Sequence, residues 1–349
     1  MIADNLKTVA NHETDSTEGN STEGNTVSEG LRLRIPRYPR SWYRFGMSKE
    51  VKLGAKTPIS RSELGREFVA FRAADGAVSV LNGRCSHLGA KLKYAELTEK
   101  GLECPLHGWC YSPSGACTHI PTCKNIPDFA RQQAYPTVER FGELFYFLDE
   151  QPNFEFPNFA SSPFESLYPA KPFGLRLEAP WYMVTGNGFD IQHFRQSHDR
   201  VLLSEPVVDC PAESSIRVRM RLGVEGDCLR DQIIRRTGGE ILDFSYTCWG
   251  GTLGFVEARF ERASSFGFVS VTPLASDATW YSNTIFVPRR TGVISKHLNF
   301  INAELRRMII FQFLKVDIHR IEGTYSAVER CIEADKALLQ YFDWVQRFN

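Results

Sequence analysis

Two short motifs, each holding one cysteine and one histidine, constrain this chain more than any other feature of its sequence. Cys85 and His87 form a C-x-H motif, and Cys104 and His107 form a C-x-x-H motif after 16 intervening residues. A [2Fe–2S] cluster can bind one iron through two cysteines and the other through two histidines, which raises its reduction potential. A Cys₂His₂ zinc finger instead groups its cysteines in one pair and its histidines in another. Because each motif here supplies one ligand of each kind, the pattern predicts the iron–sulfur cluster, with a structural zinc site as the alternative.

The residues around these ligands indicate which kind of mixed-ligand, or Rieske, cluster is expected. Respiratory-chain Rieske proteins carry a further cysteine in each loop, joined as a disulfide, but Ala90 and Leu106 occupy the matching positions. Trp109 takes the position of a serine that donates to a cluster sulfur. Fewer hydrogen bonds to sulfur lower the potential, which suits electron delivery to an oxygen-activating metal. Gly89 and Gly108 fit tight turns in which the backbone approaches the cluster.

A second group of candidate metal ligands begins at Asp190. With His193 and His198, a carboxylate fits the 2-His-1-carboxylate arrangement, which holds Fe(II) and leaves positions open for O₂. Asp190 and His193 are three residues apart and would share a helix face. His198 lies five residues after His193, about 140° around a regular helix, so we expect the helix to end or loosen between the two histidines. A surface helix with solvated histidines is the alternative.

The two motifs in this order resemble those of the Rieske non-haem iron oxygenase family. The family pattern is C-x-H … C-x-x-H followed by D-x-x-H-x-x-x-x-H, and the resemblance covers nearly the whole chain after the first 35 residues. The run 85–90 with His119-Ile120-Pro121 is most similar to the branch that holds aminopyrrolnitrin oxygenase. The C-terminal stretch is similar to the oxygenase component of 3-ketosteroid hydroxylase.

The resemblance assigns a role to each residue of the second motif. His193 and His198 would bind the mononuclear iron, while Asp190 would not be a ligand. Instead, Asp190 would hydrogen-bond His193 and connect it to the cluster ligand His107 of a neighbouring subunit.

The third iron ligand is then expected on a late helix. The segment 313–319 resembles the family segment that carries it, which indicates Asp317, with Glu304 and Glu322 as competitors. Asn187 matches an asparagine often found beside the iron. Many family members have an acidic residue four positions before the bridging Asp, where this chain has Gly186.

The activity implied by the resemblance is that of an oxygenase component. It would use O₂ and reductase-supplied electrons to hydroxylate, N-oxygenate or demethylate an apolar organic small molecule. Its cofactors would be the [2Fe–2S] cluster and Fe(2+), and its electron donor a ferredoxin, a flavin reductase or both. The family assembles as head-to-tail rings of three, so a homotrimer is expected. The alternative is a Rieske electron-transfer protein with a non-catalytic second domain.

Composition limits the remaining possibilities. At 349 residues the chain is long enough for two domains with real cores. Its 41 basic and 41 acidic residues balance, so no nucleic-acid partner is implied. No apolar run approaches the ~20 residues of a membrane span, and the first residues lack the apolar core of a signal peptide. Two of the nine cysteines belong to the cluster motifs, and the other seven show no framework spacing, which favours reduced thiols in the cytoplasm.

The pattern along the chain predicts an α+β protein. Residues 1–34 are expected to be a disordered tail, because they are polar and contain a directly repeated five-residue unit, STEGN. Residues 35–150 should form an all-β Rieske domain, with both ligand motifs on loops. Prolines mark a linker over 151–172. Residues 173–349 should form the iron-binding catalytic domain, an antiparallel sheet gripped by a long helix over 302–321.

Two surfaces of this second domain can be predicted in outline. On the helix, one side is expected to be apolar and to face the sheet: Leu305, Met308, Ile309, Phe313 and Val316. Six aromatic residues could line an apolar pocket between sheet and helix: Phe244, Tyr246, Trp249, Phe255, Phe268 and Trp280. Arg217, Arg219 and Arg221 alternate along a strand and are expected to face water, so none is assigned to a substrate carboxylate.

Overall fold

Three small antiparallel sheets form the N-terminal part of the chain. The computed structural model describes residues 33–348, so most of the predicted tail, residues 1–34, lies outside the described residues. The sheets have the strand orders β1-β11-β10, β2-β3-β4-β9 and β5-β6-β7-β8. Their strands are β1 Trp42–Met47, β2 Ile59–Glu63, β3 Arg66–Arg72, β4 Val78–Asn82, β5 Glu96–Thr98, β6 Gly101–Glu103, β7 Cys110–Tyr111, β8 Cys117–His119, β9 Ala134–Tyr135, β10 Thr137–Arg140 and β11 Glu143–Phe147.

The hairpin of β3 and β4 shows why this region folds as predicted. Buried apolar residues run along both strands, and Asp75 and Gly76 close the turn between them. Gly76 has φ +87°, and the Asp75 carboxylate accepts a hydrogen bond from the Ala77 backbone N–H at 2.9 Å. Glycine is the residue that adopts positive φ without steric cost. This turn therefore joins β3 and β4 as an antiparallel hairpin.

A nine-stranded antiparallel sheet forms the C-terminal part. Its main path is β12-β20-β19-β18-β17-β16-β14, with β13 paired to β20 and β15 paired to β16. The strands are β12 Leu167–Pro169, β13 Phe173–Leu177, β14 Arg200–Leu202, β15 Val207–Ala212, β16 Ser215–Val224, β17 Ile241–Trp249, β18 Leu253–Phe260, β19 Ser264–Pro273 and β20 Thr279–Pro288. Antiparallel sheets together with a few helices give the α+β class expected from the sequence.

Five α-helices accompany the sheets within the described residues. They are α1 Trp181–Gly186, α2 Ile191–His198, α3 Leu229–Thr237, α4 Ser295–Ile321 and α5 Lys336–Val345. Helix α4 packs along β20 and is the gripping helix, but it begins at Ser295 rather than at 302. None of these helices combines the length and the apolar character that crossing a lipid bilayer requires.

The face of α4 that covers the sheet differs from the predicted one. Leu305 and Met308 are 50% and 52% exposed, so the expectation that they face the sheet is wrong. Ile309 and Phe313, by contrast, do line the space between helix and sheet. The prediction failed because apolar residues occur around the whole circumference of α4, so periodicity could not select one face.

Aromatic residues join the two parts of the chain. Side chains from β1 and β11 pack against side chains from β18, β19 and β20, and the predicted linker adds its own phenylalanines to the same cluster. The buried members include Trp42, Phe145, Phe147, Phe159, Phe164, Phe255, Phe268 and Phe286. Each fully buried Phe contributes about 1.5–3 kcal/mol relative to an exposed one, so this cluster fixes how the two sheets meet.

Candidate metal centres and the adjoining cavity

The two loops that carry the C-x-H and C-x-x-H motifs have the same backbone hydrogen bonds. Cys85 N–H donates to the Ala90 carbonyl at 2.8 Å, and Gly89 N–H donates to the Cys85 carbonyl at 2.9 Å. In the second loop, Cys104 donates to Trp109 at 2.8 Å and Gly108 to Cys104 at 3.0 Å. Each loop is closed by a glycine of positive φ, +73° and +68° respectively. The sequence prediction of two glycine turns is consistent with this geometry.

The loops place the two kinds of ligand at different depths. Cys85 and Cys104 are buried, with 4% and 2% exposure, while His87 and His107 are exposed. The two imidazole ring centroids lie 4.8 Å apart. His87 also stacks on Trp109 with 4.4 Å between ring centroids and 5° between ring planes. This arrangement fits a cluster with one thiolate-bound iron inside the protein and one imidazole-bound iron at the surface.

Sequence reasoning missed one residue of this site, Tyr111. Its hydroxyl lies 3.0 Å from the Cys85 sulfur and 3.1 Å from the Ser86 hydroxyl. Burial, followed by the neighbouring Cys85 thiol, raises the pKa of Tyr111, so the hydroxyl keeps its proton and can donate it. Hydrogen bonds to ligand sulfurs tune cluster potential. The tyrosine four residues after His107 was the available signal.

The second motif lies on helix α2, which Asp190 begins. The Asp190 carboxylate accepts hydrogen bonds from the backbone N–H groups of Gln192 at 3.1 Å and His193 at 3.3 Å, both through Oδ1. It is therefore the N-cap of the helix. Helix α2 continues through His193 and ends at His198, after which Asp199 turns the chain with φ +53°. The expected loosening of the helix between the two histidines does not occur. Their side chains are long enough to bring the two imidazole ring centroids to 5.3 Å from a continuous helix.

Helix α4 brings Asp317 to these histidines. The nearest ligand atoms of His193, His198 and Asp317 all lie within 4.8 Å of one another. His198 Nε2 lies 3.0 Å from Asp317 Oδ1. His193 Nδ1 lies 2.5 Å from the Asp190 backbone carbonyl and donates to it, which leaves Nε2 available as a ligand. The family resemblance predicted that the Asp190 carboxylate would hydrogen-bond His193. In the structure the backbone carbonyl of Asp190 accepts that hydrogen bond instead.

The chemistry of this donor set fits a divalent iron. Burial lowers the pKa of His193, which favours the neutral, ligating form of its imidazole. His198 Nδ1 is buried and has no hydrogen-bond partner among the described residues. Two imidazoles and one carboxylate around one point match the facial triad of non-haem iron sites.

The competing carboxylates are engaged elsewhere. Glu304 pairs with Arg307 at 2.7 Å and accepts a hydrogen bond from Lys171 N–H. Glu322 is exposed beyond the end of α4. Asn187, the predicted neighbour of the iron, lines the same cavity as the triad.

A buried ion-pair network supports His198. Arg200 donates to the His198 backbone carbonyl at 2.6 Å and to Asp231 at 2.7 Å. Asp231 is fully buried and also pairs with Arg230 at 3.2 Å. Burial alone would raise the pKa of Asp231, but hydrogen bonds from Arg200 and Arg230 outweigh it and lower the pKa to about 2. The two guanidinium groups lie 5.1 Å and 3.9 Å from the ring centroid of Phe313, which contacts His198.

The triad opens into a cavity of about 290 Å³ between the large sheet and α4. Aliphatic and aromatic side chains form most of its wall, and polar groups are few. Of the six aromatic residues expected there, Phe244 and Tyr246 line the cavity. Phe255 and Phe268 instead belong to the aromatic cluster on the other side of the sheet, with Trp249 packed against it, and Trp280 is 40% exposed. Strand alternation explains the difference, because neighbouring residues of a strand face opposite sides.

Comparison with known proteins identifies the N-terminal part. Residues 41–130 match the Rieske [2Fe-2S] domain family. The oxygenase component of 3-ketosteroid-9-alpha-monooxygenase from Rhodococcus rhodochrous is 32% identical over 117 residues, which cover 34% of this chain and 30% of that protein. Aminopyrrolnitrin oxygenase PrnD from Pseudomonas fluorescens is 29% identical over 175 residues, 46% of each chain. These alignments thus span less than half the length of either relative.

Solved structures extend the likeness to nearly the whole fold. Dicamba monooxygenase bound to dicamba superposes with a TM-score of 0.64 at 16% identity, covering 90% of this chain and 98% of that one. NdmA of Pseudomonas putida CBB5 with caffeine gives a TM-score of 0.67 at 22% identity, covering 88% and 89%. The fold of this chain is therefore shared along nearly its whole length with these solved structures.

Proposed function

We propose that this chain, whose residues 41–130 form a Rieske [2Fe-2S] domain, is the oxygenase component of a multi-component enzyme. It would use O₂ and externally supplied electrons to hydroxylate, N-oxygenate or demethylate an apolar small molecule. The observation that carries the proposal is the group His193, His198 and Asp317 at an apolar cavity in the chain that also holds the cluster loops.

Each residue of the two sites has a proposed task. When bound, the cluster supplies single electrons and the mononuclear iron activates O₂. Cys85, Cys104, His87 and His107 would hold the cluster, and the exposed position of the histidines gives an electron donor access to it. The apolar wall of the cavity orients a substrate and keeps water from the triad. Asn187 would add one polar contact beside the iron.

Asp190 is the proposed connection between the two sites. Only Oδ1 of its carboxylate caps α2, so Oδ2 has no hydrogen-bond partner within residues 33–348. No hydrogen bond joins Asp190 to His107 within the described chain. We therefore propose that Oδ2 accepts a hydrogen bond from His107 of a neighbouring subunit in a homotrimer. The exposed Leu88 and Leu106 beside the cluster histidines would lie in that interface.

The partners and compartment follow from the same proposal. A ferredoxin, a flavin reductase or both would deliver electrons, because an oxygenase component receives its electrons from a separate protein. We place the protein in the cytoplasm. Its nine cysteines all lie in the described part of the chain and form no disulfide with one another, which agrees with a reducing compartment.

Iron analysis of the reconstituted protein tests this function. We expect about three irons per chain, two in the cluster and one in the triad. Asp317→Ala should remove one iron and leave the Rieske electron paramagnetic resonance signal unchanged. His319→Ala is the matched control, because His319 lies on the same helix and is exposed. About two irons per chain in the unmodified protein would instead indicate an electron carrier.

A further inference from the structure

Arg306 is a cation without a counter-charge in the wall of the apolar cavity. Its guanidinium donates one hydrogen bond, from Nη1 to the hydroxyl of Ser265 at 2.9 Å. Within residues 33–348 no carboxylate forms an ion pair with it, and burial lowers the pKa of Arg306 with no neighbouring charge opposing that effect. A guanidinium keeps its charge in proteins, so a partly buried positive charge is left facing an apolar cavity, an arrangement that is costly unless an anion occupies it.

The other guanidinium groups nearby differ in this respect. Arg200 also lines the cavity, but it pairs with Asp231, as Arg230 does. Arg307, the residue next to Arg306 on α4, pairs with Glu304 at 2.7 Å and does not line the cavity. The three arginines of β16 that were not assigned to a substrate carboxylate also form ion pairs. Arg217 and Arg219 pair with Asp209, and Arg221 pairs with Asp243.

Helix α4 fixes how far Arg306 lies from the triad. The cavity-lining residues of α4 recur every three or four positions, from Arg306 through Ile310 and Phe313 to Asp317. Asp317 lies eleven positions after Arg306, which is about three turns of helix and about 16 Å along its axis. The two side chains therefore lie on one face of the helix, about three turns apart along the cavity.

The sheet gives the same orientation independently. The end of α4 nearest Asp317 lies at the Thr279 end of β20, two residues from Tyr281, because Gly323 donates its backbone N–H to the Glu178 carbonyl at 2.8 Å and the neighbouring Leu177 pairs with Thr279. Tyr281 pairs with Val271 of β19, and Ser265 lies six residues earlier on that strand, about 20 Å away. Between them, Asn283 lines the cavity with a buried Oδ1 that has no hydrogen-bond partner among the described residues.

We propose that Arg306 and Ser265 bind the anionic head group of the substrate, and that the substrate is an elongated apolar carboxylic acid whose end remote from the carboxylate lies beside the triad. This inference rests on the proposed oxygenase function and specifies its substrate class. A single guanidinium matches a single negative charge, and its planar donors can hold both oxygens of a carboxylate. The Ser265 hydroxyl accepts from Arg306 and retains its own proton to donate to the same carboxylate.

Anaerobic calorimetry with the metal-loaded protein tests the inference, using decanoate and 1-decanol as probes. These molecules share an apolar chain and differ in the charge at one end. The unmodified protein should bind decanoate more tightly than 1-decanol, by about tenfold to a hundredfold for a charge-assisted hydrogen-bonded pair. Arg306→Met should abolish this preference, and Arg306→Lys should restore part of it.

Arg307→Met is the matched control, since it removes a neighbouring guanidinium that is already paired with Glu304. It should leave the preference for decanoate unchanged. Equal affinity for the two probes, binding of neither probe, or a preference that survives Arg306→Met would each overturn the proposal. Because the measurement involves no turnover, its outcome is independent of the iron count. A protein with two irons per chain can still prefer decanoate, and a protein with three irons per chain can bind both probes equally.

Discussion

The two candidate metal centres are built in opposite ways. All four cluster ligands lie within residues 85–107, on two loops with the same pattern of backbone hydrogen bonds. The triad joins His193 and His198 on α2 to Asp317 on α4. The buried ion-pair network supports His198 through a hydrogen bond from Arg200 to its backbone carbonyl. The first site depends on short loops, whereas the second depends on the packing of distant helices and the large sheet. Changes in the core of the C-terminal domain should therefore disable the triad while the cluster site survives.

Asp231→Asn is expected to have the largest effect and tests this asymmetry. The substitution leaves the buried guanidinium of Arg200 and the partly buried guanidinium of Arg230 without their anion. Removing one partner of a buried ion pair costs about 3–5 kcal/mol. Denaturant unfolding should show that loss, and the triad should bind Fe(II) more weakly while the visible circular dichroism of the cluster stays unchanged. Asp243→Asn, which breaks the exposed pair with Arg221, should cost less than about 1 kcal/mol.

The same carboxylate gives the comparison a pH dependence. The pKa of Asp231 in the folded protein is about 2, below its ordinary value of 3.8. Its contribution to stability is therefore present above about pH 4 and is lost as the pH falls towards 2, by up to about 2 kcal/mol. Unfolding measured between pH 5 and pH 2 should show this loss in the unmodified protein and not in Asp231→Asn. An identical slope in both proteins would contradict the assigned pairing.

Asp190→Asn separates the proposed connection between the sites from the structure of either site. Asparagine caps helices about as well as aspartate, so α2 and the His193 bond to the backbone carbonyl should persist. The carboxylate charge is lost, and residues of this supporting kind typically contribute tenfold to a hundredfold. Rapid-freeze spectroscopy should therefore show electron transfer from cluster to mononuclear iron slowed by about that factor, with both metals retained. Transfer at the unmodified rate would remove the bridging role.

Tyr111→Phe should have the smallest effect and acts on the cluster alone. It deletes the hydroxyl that lies 3.0 Å from the Cys85 sulfur and keeps the buried ring. One hydrogen bond is worth about 1 kcal/mol, which corresponds to about 40 mV for a one-electron couple. Redox titration should show a potential lower by about that amount, with Fe(II) binding at the triad unchanged. An unchanged potential would mean that the hydroxyl does not donate to the ligand sulfur.

The difference in construction also explains what the sequence could predict. The cluster ligands were predicted directly because all of them belong to one short stretch with a diagnostic order. His193 and His198 were predicted from spacing, but Asp317 came only from family resemblance, because a lone carboxylate on a long helix carries no local signal. Tyr111 was missed because its contact with Cys85 depends on how β7 lies beside the first loop.

The cavity shows the same limit. The position of Arg306 in the cavity wall was missed because apolar residues occur on all sides of α4. The side that contains Leu305 was predicted to face the sheet instead. On strand β17, Leu242, Phe244 and Tyr246 line the cavity and alternate with more polar residues. Which face of a strand lines a cavity depends on the partner strand and the covering helix. The sequence of the strand alone specifies neither.

A single-turnover experiment tests the central claim most directly, namely that the two sites act together. The metal-loaded protein is reduced, freed of reductant and mixed with O₂, and the reduced Rieske signal is followed by electron paramagnetic resonance. We expect that signal to disappear rapidly in the unmodified protein and in His319→Ala, and to persist in Asp317→Ala. Equally fast loss of the signal in Asp317→Ala would show that the cluster reacts without the triad, and would contradict the account.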